Sequence, residues 1–218
     1  MEKKAYIFDL DGTLVDTLDS LEKAVNNTMD RLGFGHVTKM QCREYIGNGA
    51  RVLVDKSLKS VIGEVQEDLL DHATAIYQEE FALCCTYNVT PYEGIKDLLA
   101  ELKKQGYVLA VLTNKPHAQA VVAVEEIFGE DTFDLIQGQV DGMPRKPDPK
   151  SIDCVLEELN VLKEECIFVG DSEVDVQTGK SAGVFTVGVA WGFRDEDVLR
   201  REKADVVVFK ALDILEIK

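Results

Sequence analysis

The stretch Ala5-Tyr-Ile-Phe-Asp-Leu-Asp-Gly-Thr13 decides the fold. Ala5 to Phe8 is apolar at every position, with no alternation of polar and apolar residues. A short run of that kind suits a strand covered on both faces, as in a parallel sheet. Two carboxylates, Asp9 and Asp11, follow at once, and Gly12 allows an unusual backbone angle or a close approach. A strand ending in Asp-x-Asp sets paired carboxylates at the carboxyl edge of a sheet, where α/β proteins gather their ligands. One Asp there reads as a turn or a cap. Two, framed by Gly-Thr, point to chemistry.

Working outward, similar runs recur at Val108–Leu112, Cys166–Val169, Val184–Val189 and Val206–Val208. Amphipathic stretches of helical length lie between them, at about 94–105, 116–128, 149–160, 173–182 and 194–202. This alternation predicts an α/β fold, a Rossmann-like parallel sheet flanked by helices. Residues 16–88 break the rhythm, with helical periodicity over about 18–33, 39–46, 49–60 and 64–86 and no convincing strand. Asp16 or Thr17 would cap the first of these helices and Thr38 the second, and Gly33 and Gly35 would end the first. The expected organisation is an α/β core of residues 1–15 plus 89–218, interrupted by an all-helical cap of residues 16–88.

The chain has 218 residues, 45% of them apolar, and carries 40 acidic against 24 Lys and Arg residues, net −16. That balance excludes nucleic acid as a partner, because such binding needs a basic face. It also disfavours anionic membrane surfaces. Small anions stay allowed, since local fields differ from the net charge. Residues 31–63 hold 6 basic and 2 acidic residues, while residues 64–88 hold 6 acidic and none basic. Nothing resembles a membrane span or a secretory leader. The five cysteines (42, 84, 85, 154 and 166) form no C-x-x-C pair, so they read as reduced thiols of a cytoplasmic protein. The three histidines (36, 72 and 117) are too scattered to suggest zinc.

Three other segments place polar groups at expected strand or helix ends. Thr113-Asn114-Lys115 closes one strand, and Gly170-Asp171-Ser172-Glu-Val-Asp175 closes another. In Arg145-Lys146-Pro-Asp-Pro149, Asp148 reads as a helix cap, Pro149 as the first helical residue, and the prolines stiffen the chain that carries Lys146. Ser172 and Asp175 have capping-box spacing, which leaves Asp171 unexplained by local structure. Carboxylates converging from several strand ends repel each other, and a hard cation such as Mg²⁺ relieves that repulsion.

Asp9-x-Asp11-Gly-Thr, Thr113, Lys146 and Gly170-Asp171-x-x-x-Asp175 together resemble, in order, the four motifs of the haloacid dehalogenase-like (HAD) hydrolase superfamily. The helical insertion is similar to that superfamily's cap after the first motif. Ile46-Gly-Asn-Gly49, Pro91-Tyr-Glu-Gly-Ile95, Leu112-Thr-Asn-Lys-Pro116 and Trp191-Gly-Phe193 resemble its phosphoglycolate phosphatase group. The resemblance implies a two-step phosphoryl transfer through an aspartyl-phosphate. In it Asp9 is the nucleophile, Asp11 the general acid and then base, and Lys146 the charge against Asp9 and the phosphoryl group. Thr113, Asn114 and backbone N–H groups around Gly12 would bind phosphoryl oxygens. Asp9, Asp171 and the carbonyl of Asp11 would hold Mg²⁺, supported by Asp175. The superfamily's dehalogenases lack the second Asp, because a halide leaves without a proton, so Asp11 favours a phosphate ester.

The implied partner is a small anionic phosphate ester, best matched by 2-phosphoglycolate, for a monomer or homodimer. In the cap, Asn48 and Gly49 open a helix whose N–H groups suit an anion. Arg51 and Lys56 lie in that helix, and Lys56 matches the offset at which related phosphatases carry a basic residue. Its being Lys rather than Arg weakens bidentate carboxylate recognition. Hinges near Val15–Thr17 and Asn88–Pro91 would let the cap close. A pyrophosphatase, a β-phosphoglucomutase-type phosphotransferase and a non-catalytic binding protein are the alternatives. The chain has Gly-Asn-Gly-Ala where the mutases carry Gly-x-Ser-Arg, and its full set of motif residues opposes loss of catalysis.

Overall fold

A computed structural model describes residues 3–217. In chain order the elements are β1 (Ala5–Phe8), β2 (Val15–Asp16), α1 (Leu18–Leu32), α2 (Lys39–Tyr45), α3 (Ala50–Ile62), α4 (Glu67–Cys84), β3 (Thr90–Pro91) and α5 (Ile95–Lys104). Then follow β4 (Val108–Pro116), α6 (His117–Phe128), β5 (Leu135–Gln139), α7 (Lys150–Leu159), β6 (Cys166–Gly170), α8 (Glu173–Ala182), β7 (Phe185–Val189), α9 (Glu196–Arg201) and β8 (Val206–Val208). They form two compact units. One runs through Asp16 and resumes at Thr90, and the other is Thr17–Val89.

The first unit is an α/β layer structure around a six-stranded parallel sheet of order β5-β4-β1-β6-β7-β8. β1 lies in the interior of the sheet, which is why all four of its residues are buried. Its register sets Phe8 opposite both Val111 of β4 and Val169 of β6. The Asp9 N–H then donates to the Val169 carbonyl at 2.8 Å. Asp9 and the Gly170-Asp171 turn therefore leave the sheet at one level. From β1 the chain builds outward through β4 to β5, then returns to the other side at β6. That reversal opens a crevice at the carboxyl end of β1. Beneath it Ile7, Ala110, Phe168 and Ile152 pack in a core cluster with Val155 and Leu156 of α7.

The second unit is entirely helical. Its α1 packs on α4, and α3 packs on α4 and α2. Leu21, Val25 and Met29 of α1 and Ile76, Tyr77 and Phe81 of α4 are all buried, with the Tyr77 and Phe81 rings stacked at 5.5 Å. Thr38 makes a full capping box with Gln41, and Gly33 ends α1 in the left-handed conformation. Thr17 occupies the N-cap position of α1 without a side-chain capping bond. No helix among the described residues is long and apolar enough to cross a membrane. Burial pushes the Cys42 and Cys166 thiols up to about 12.

Four expectations need correcting. β5, Leu-Ile-Gln-Gly-Gln, is a strand missing from the sequence reading. It lies at the sheet edge, where polar residues replace the apolar run that marks a central strand. β4 does not end at Leu112: it continues to Pro116, with a register irregularity against β5 between those residues, so Thr113–Lys115 belong to the strand. α4 starts at Glu67 rather than near 64. Pro149 is the N-cap of α7 rather than its first residue, while the Asp148 carboxylate accepts from Lys150 N–H at 3.0 Å.

α8 approaches β7 closely only because Gly179 lacks a side chain: a Cβ there would collide with the buried Thr186 hydroxyl and methyl. Thr186 is short and β-branched, so it has no room to retreat. Gly179→Ala is expected to lose about 1–3 kcal/mol from overpacking. Urea unfolding should show the loss, and Thr186→Ala in the same chain should return part of it.

Candidate active site

The site is built on the carboxyl ends of β1, β4 and β6. Asp9, Asp171 and Asp175 each bring a carboxylate oxygen to within 4.8 Å of the others, and all three are buried. At that spacing two like charges repel by about 3 kcal/mol at an effective dielectric constant of 20. Lys146 enters the cluster with its Nζ 2.7 Å from Asp9 Oδ1 and 2.6 Å from Asp175 Oδ1. One ammonium thus faces three carboxylates, and burial strengthens both attraction and repulsion.

Burial, then the Asp175 charge, pushes Asp9 up to about 7 despite Lys146. Asp171 is raised well above the usual carboxylate range by burial and by the charges of Asp175 and Asp9. Burial disfavours the Lys146 ammonium, but Asp175 and Asp9 outweigh it and hold Lys146 above its ordinary value.

Each group is oriented by a different device. Asp175 is fully buried at the start of α8, where its Oδ2 accepts from Ser172 N–H (3.0 Å) and Ser172 hydroxyl (2.6 Å) and its Oδ1 faces Lys146. Gly170 makes room for it, since a Cβ there would overlap Asp175. Asp171 accepts from the Thr13 hydroxyl at 3.0 Å and from Phe193 N–H at 2.7 Å. Gly12 and Gly192 close around it, and a Cβ on either would strike the Asp171 side chain. The Trp191 indole N–H donates to the Thr13 carbonyl at 3.0 Å. Trp191-Gly192-Phe193 therefore seats Asp171, a role the sequence reading missed. The visible signal was a Gly between two aromatics just after β7.

Two expected phosphoryl ligands also have partners within the protein. The Asn114 side chain clamps the Lys146 backbone, donating to its carbonyl (3.0 Å) and accepting its N–H (2.9 Å), which orients Lys146. The Gly12 N–H donates to Val15 at 2.9 Å and the Thr13 N–H to Leu10 at 3.3 Å, so these amides hold the loop together. Gly12 is required for its φ of +90° and its contact with Asp171. Thr113 is buried at the mouth, its hydroxyl oxygen accepting from Lys115 N–H at 3.2 Å. The Asp11 carboxylate lies apart from the trio, with Oδ1 2.9 Å from the buried Lys115 Nζ.

The residues fit a hard divalent cation. Only carboxylate oxygens converge, which is the donor set of Mg²⁺ or Ca²⁺. Asp9 Oδ1 is buried, and its close polar contact is the Lys146 ammonium at 2.7 Å. Asp9 and Asp171 would be the carboxylate ligands, with Asp11 limited to its main-chain oxygen. Both Asp175 oxygens are engaged by Lys146 and Ser172, so its part is to hold the others in place.

Asn48, Gly49 and Lys56 belong to the helical unit. Gly49 is the N-cap of α3 with φ +84° and no side-chain capping bond. Arg51 pairs with Glu67 at 2.6 Å and with Asp71. Lys56, in the middle of α3, is half-buried and makes no ion pair among the described residues.

A pH dependence follows. Asp9 titrates near 4 when unfolded and at about 7 when folded, so the folded chain holds the extra proton between those values. Without metal, this group's contribution to stability falls as pH rises through that window. A Mg²⁺ ion held by Asp9 would displace the same proton, so added Mg²⁺ should raise the melting temperature more at pH 8 than at pH 5. Equal rises at both would exclude binding through Asp9. Gly192→Ala should weaken Mg²⁺ binding by about 10–100-fold, as loss of a ligand's support commonly does, measurable by calorimetry.

The chain matches the model of the haloacid dehalogenase-like hydrolase family over residues 6–189. It is 31% identical over 201 residues to a phosphoglycolate phosphatase of Colwellia psychrerythraea, covering 90% of this chain and 89% of the relative. It is 30% identical over 220 residues to one of Vibrio parahaemolyticus, covering 98% and 95%. The crystal structure of a predicted phosphoglycolate phosphatase from Haemophilus somnus superposes with a TM-score of 0.91 at 28% identity, covering 100% of this chain and 98% of that one. With β1, β4 and β6 delivering Asp9, Thr113 and Asp171 to one crevice, and with the match running through both units, the chain belongs to the haloacid dehalogenase-like hydrolases.

Proposed function

We propose that this chain is a Mg²⁺-dependent phosphomonoesterase that works through a phosphorylated Asp9, with 2-phosphoglycolate as the best candidate substrate. The observation that carries the reading is the buried Asp9 carboxylate, held by Lys146 beside Asp171, with a second Asp two residues on and held separately. The names of the relatives support the substrate. The cysteine spacing, with no C-x-x-C pair, suits a cytoplasmic enzyme.

Asp9 attacks phosphorus, forming an acyl-phosphate bond as the ester P–O bond breaks, and Asp11 gives a proton to the departing alkoxide. Asp11 then takes a proton from water, whose oxygen attacks the same phosphorus and releases inorganic phosphate and free Asp9. Lys146 opposes the charge on Asp9 and on the transferring group, and the Thr113 hydroxyl donates to a phosphoryl oxygen. Bound Mg²⁺ supplies positive charge that keeps Asp9 ionised and lowers its repulsion by the phosphate dianion. Most of the acceleration then comes from positioning and electrostatics. The helical unit selects the substrate, with the α3 start at Asn48–Gly49 and the Lys56 ammonium receiving its carboxylate.

Wild-type protein should release phosphate from 2-phosphoglycolate only with Mg²⁺, and chelator should stop it. Asp9→Asn should lower kcat by at least about 10³-fold and remove acid-labile phosphate from the quenched enzyme. Undiminished turnover by that variant overturns the mechanism. Lys56→Ala should raise KM for 2-phosphoglycolate by about 10-fold, the scale of one lost charged hydrogen bond, while kcat changes little.

A further inference from the structure

Lys115 is a buried lysine outside the carboxylate cluster. Its side chain is 1% exposed, and its Nζ lies 2.9 Å from Asp11 Oδ1. The other Asp11 oxygen, Oδ2, has no hydrogen-bond or ion-pair partner among the described residues. The carboxylate that must exchange a proton is therefore held by one oxygen and open at the other.

The strand is shaped to bring Lys115 there. β4 loses register with β5 between Leu112 and Pro116, an irregularity of the kind that re-aims side chains beside active sites. Lys115 lies two residues beyond Thr113, inside the irregular segment, and its N–H donates to the Thr113 hydroxyl oxygen. Gly138 of β5 seats this segment: a Cβ there would press on the Lys115 carbonyl at 2.9 Å and on the His117 backbone.

We propose that Lys115 is a positioning residue that fixes the Asp11 carboxylate through Oδ1, so that Oδ2 faces the leaving-group oxygen. This rests on the phosphatase reading above and extends it. Lys115 touches neither phosphorus nor the departing group, and acts only where Asp11 does. Its effect must then follow how much the leaving group needs a proton.

The test compares an alkyl phosphate, whose alkoxide must be protonated, with p-nitrophenyl phosphate, whose phenolate leaves without a proton. The quantity is kcat/KM, which reports the first phosphoryl transfer. Lys115→Met should lower it by roughly 10²-fold on the alkyl ester and by under roughly threefold on the aryl ester, the scale of lost general-acid catalysis. Lys115→Arg should recover part of the alkyl activity, and Lys115→Met should add little in an Asp11→Ala chain. Equal losses on both esters, a pure rise in KM, or additivity with Asp11→Ala would each overturn the assignment. Melting curves with and without Mg²⁺ report folding. If Lys115→Met does not fold, Gly138→Ala is read by the same ester comparison and the same criteria. A wild-type chain inert on both esters would instead remove the phosphatase reading, and this inference with it.

Discussion

The Lys146 ammonium, shared between Asp9 and Asp175 in a buried site, is the interaction on which the rest depends. It joins the end of β1 to the start of α8. Its position is set by the Asn114 amide, which belongs to a third segment, β4. Removing the ammonium would leave like charges facing one another away from water, and an uncompensated buried charge costs several kcal/mol. Even with it in place, the cluster remains one cation against three carboxylates. Burial first, and then that residual excess of negative charge, raises Asp9 and Asp171, and the excess suits the cluster to a hard divalent cation. Structure and chemistry therefore meet in one electrostatic imbalance.

A second carboxylate–ammonium pair, Asp11–Lys115, lies beside the first and is kept distinct from it. Two aspartates only two residues apart thus meet different neighbours. Asp9 shares its cation with Asp175, whereas Asp11 has one oxygen bound and the other open. Different environments for like groups are what allow one carboxylate to attack while another moves protons.

Much of this was legible in the sequence because parallel sheets obey simple rules. Apolar runs give buried strands, and their carboxyl ends collect polar groups, so Asp9, Thr113 and Asp171 could be expected together. The capping spacing of Ser172 and Asp175 was also readable, and both Ser172 and Asp175 proved to belong to the cluster as well as the helix start. Less accessible was anything set by rotamers. That the Asn114 side-chain amide clamps the Lys146 backbone could not be read from its place in the motif. Gly192 matters only because a distant loop returns to within a Cβ's reach of Asp171 and Gly12. β5 escaped because an edge strand need not be apolar. Lys115 was harder to read, because the register irregularity between Leu112 and Pro116 breaks the two-residue alternation that would have placed its side chain.

The shortest sheet in the structure has a consequence for how this architecture diversifies. Val15–Asp16 pairs antiparallel with Thr90–Pro91, so the chain leaves and re-enters the α/β unit through one two-rung ladder. The ends of the excursion are tied together by the host itself. Closure entropy grows only with the logarithm of loop length, so the host is almost indifferent to how many residues lie between. The ladder is a splice point: modules of other sizes and surface chemistry can be exchanged there while the sheet, its register and the carboxylate cluster stay as they are.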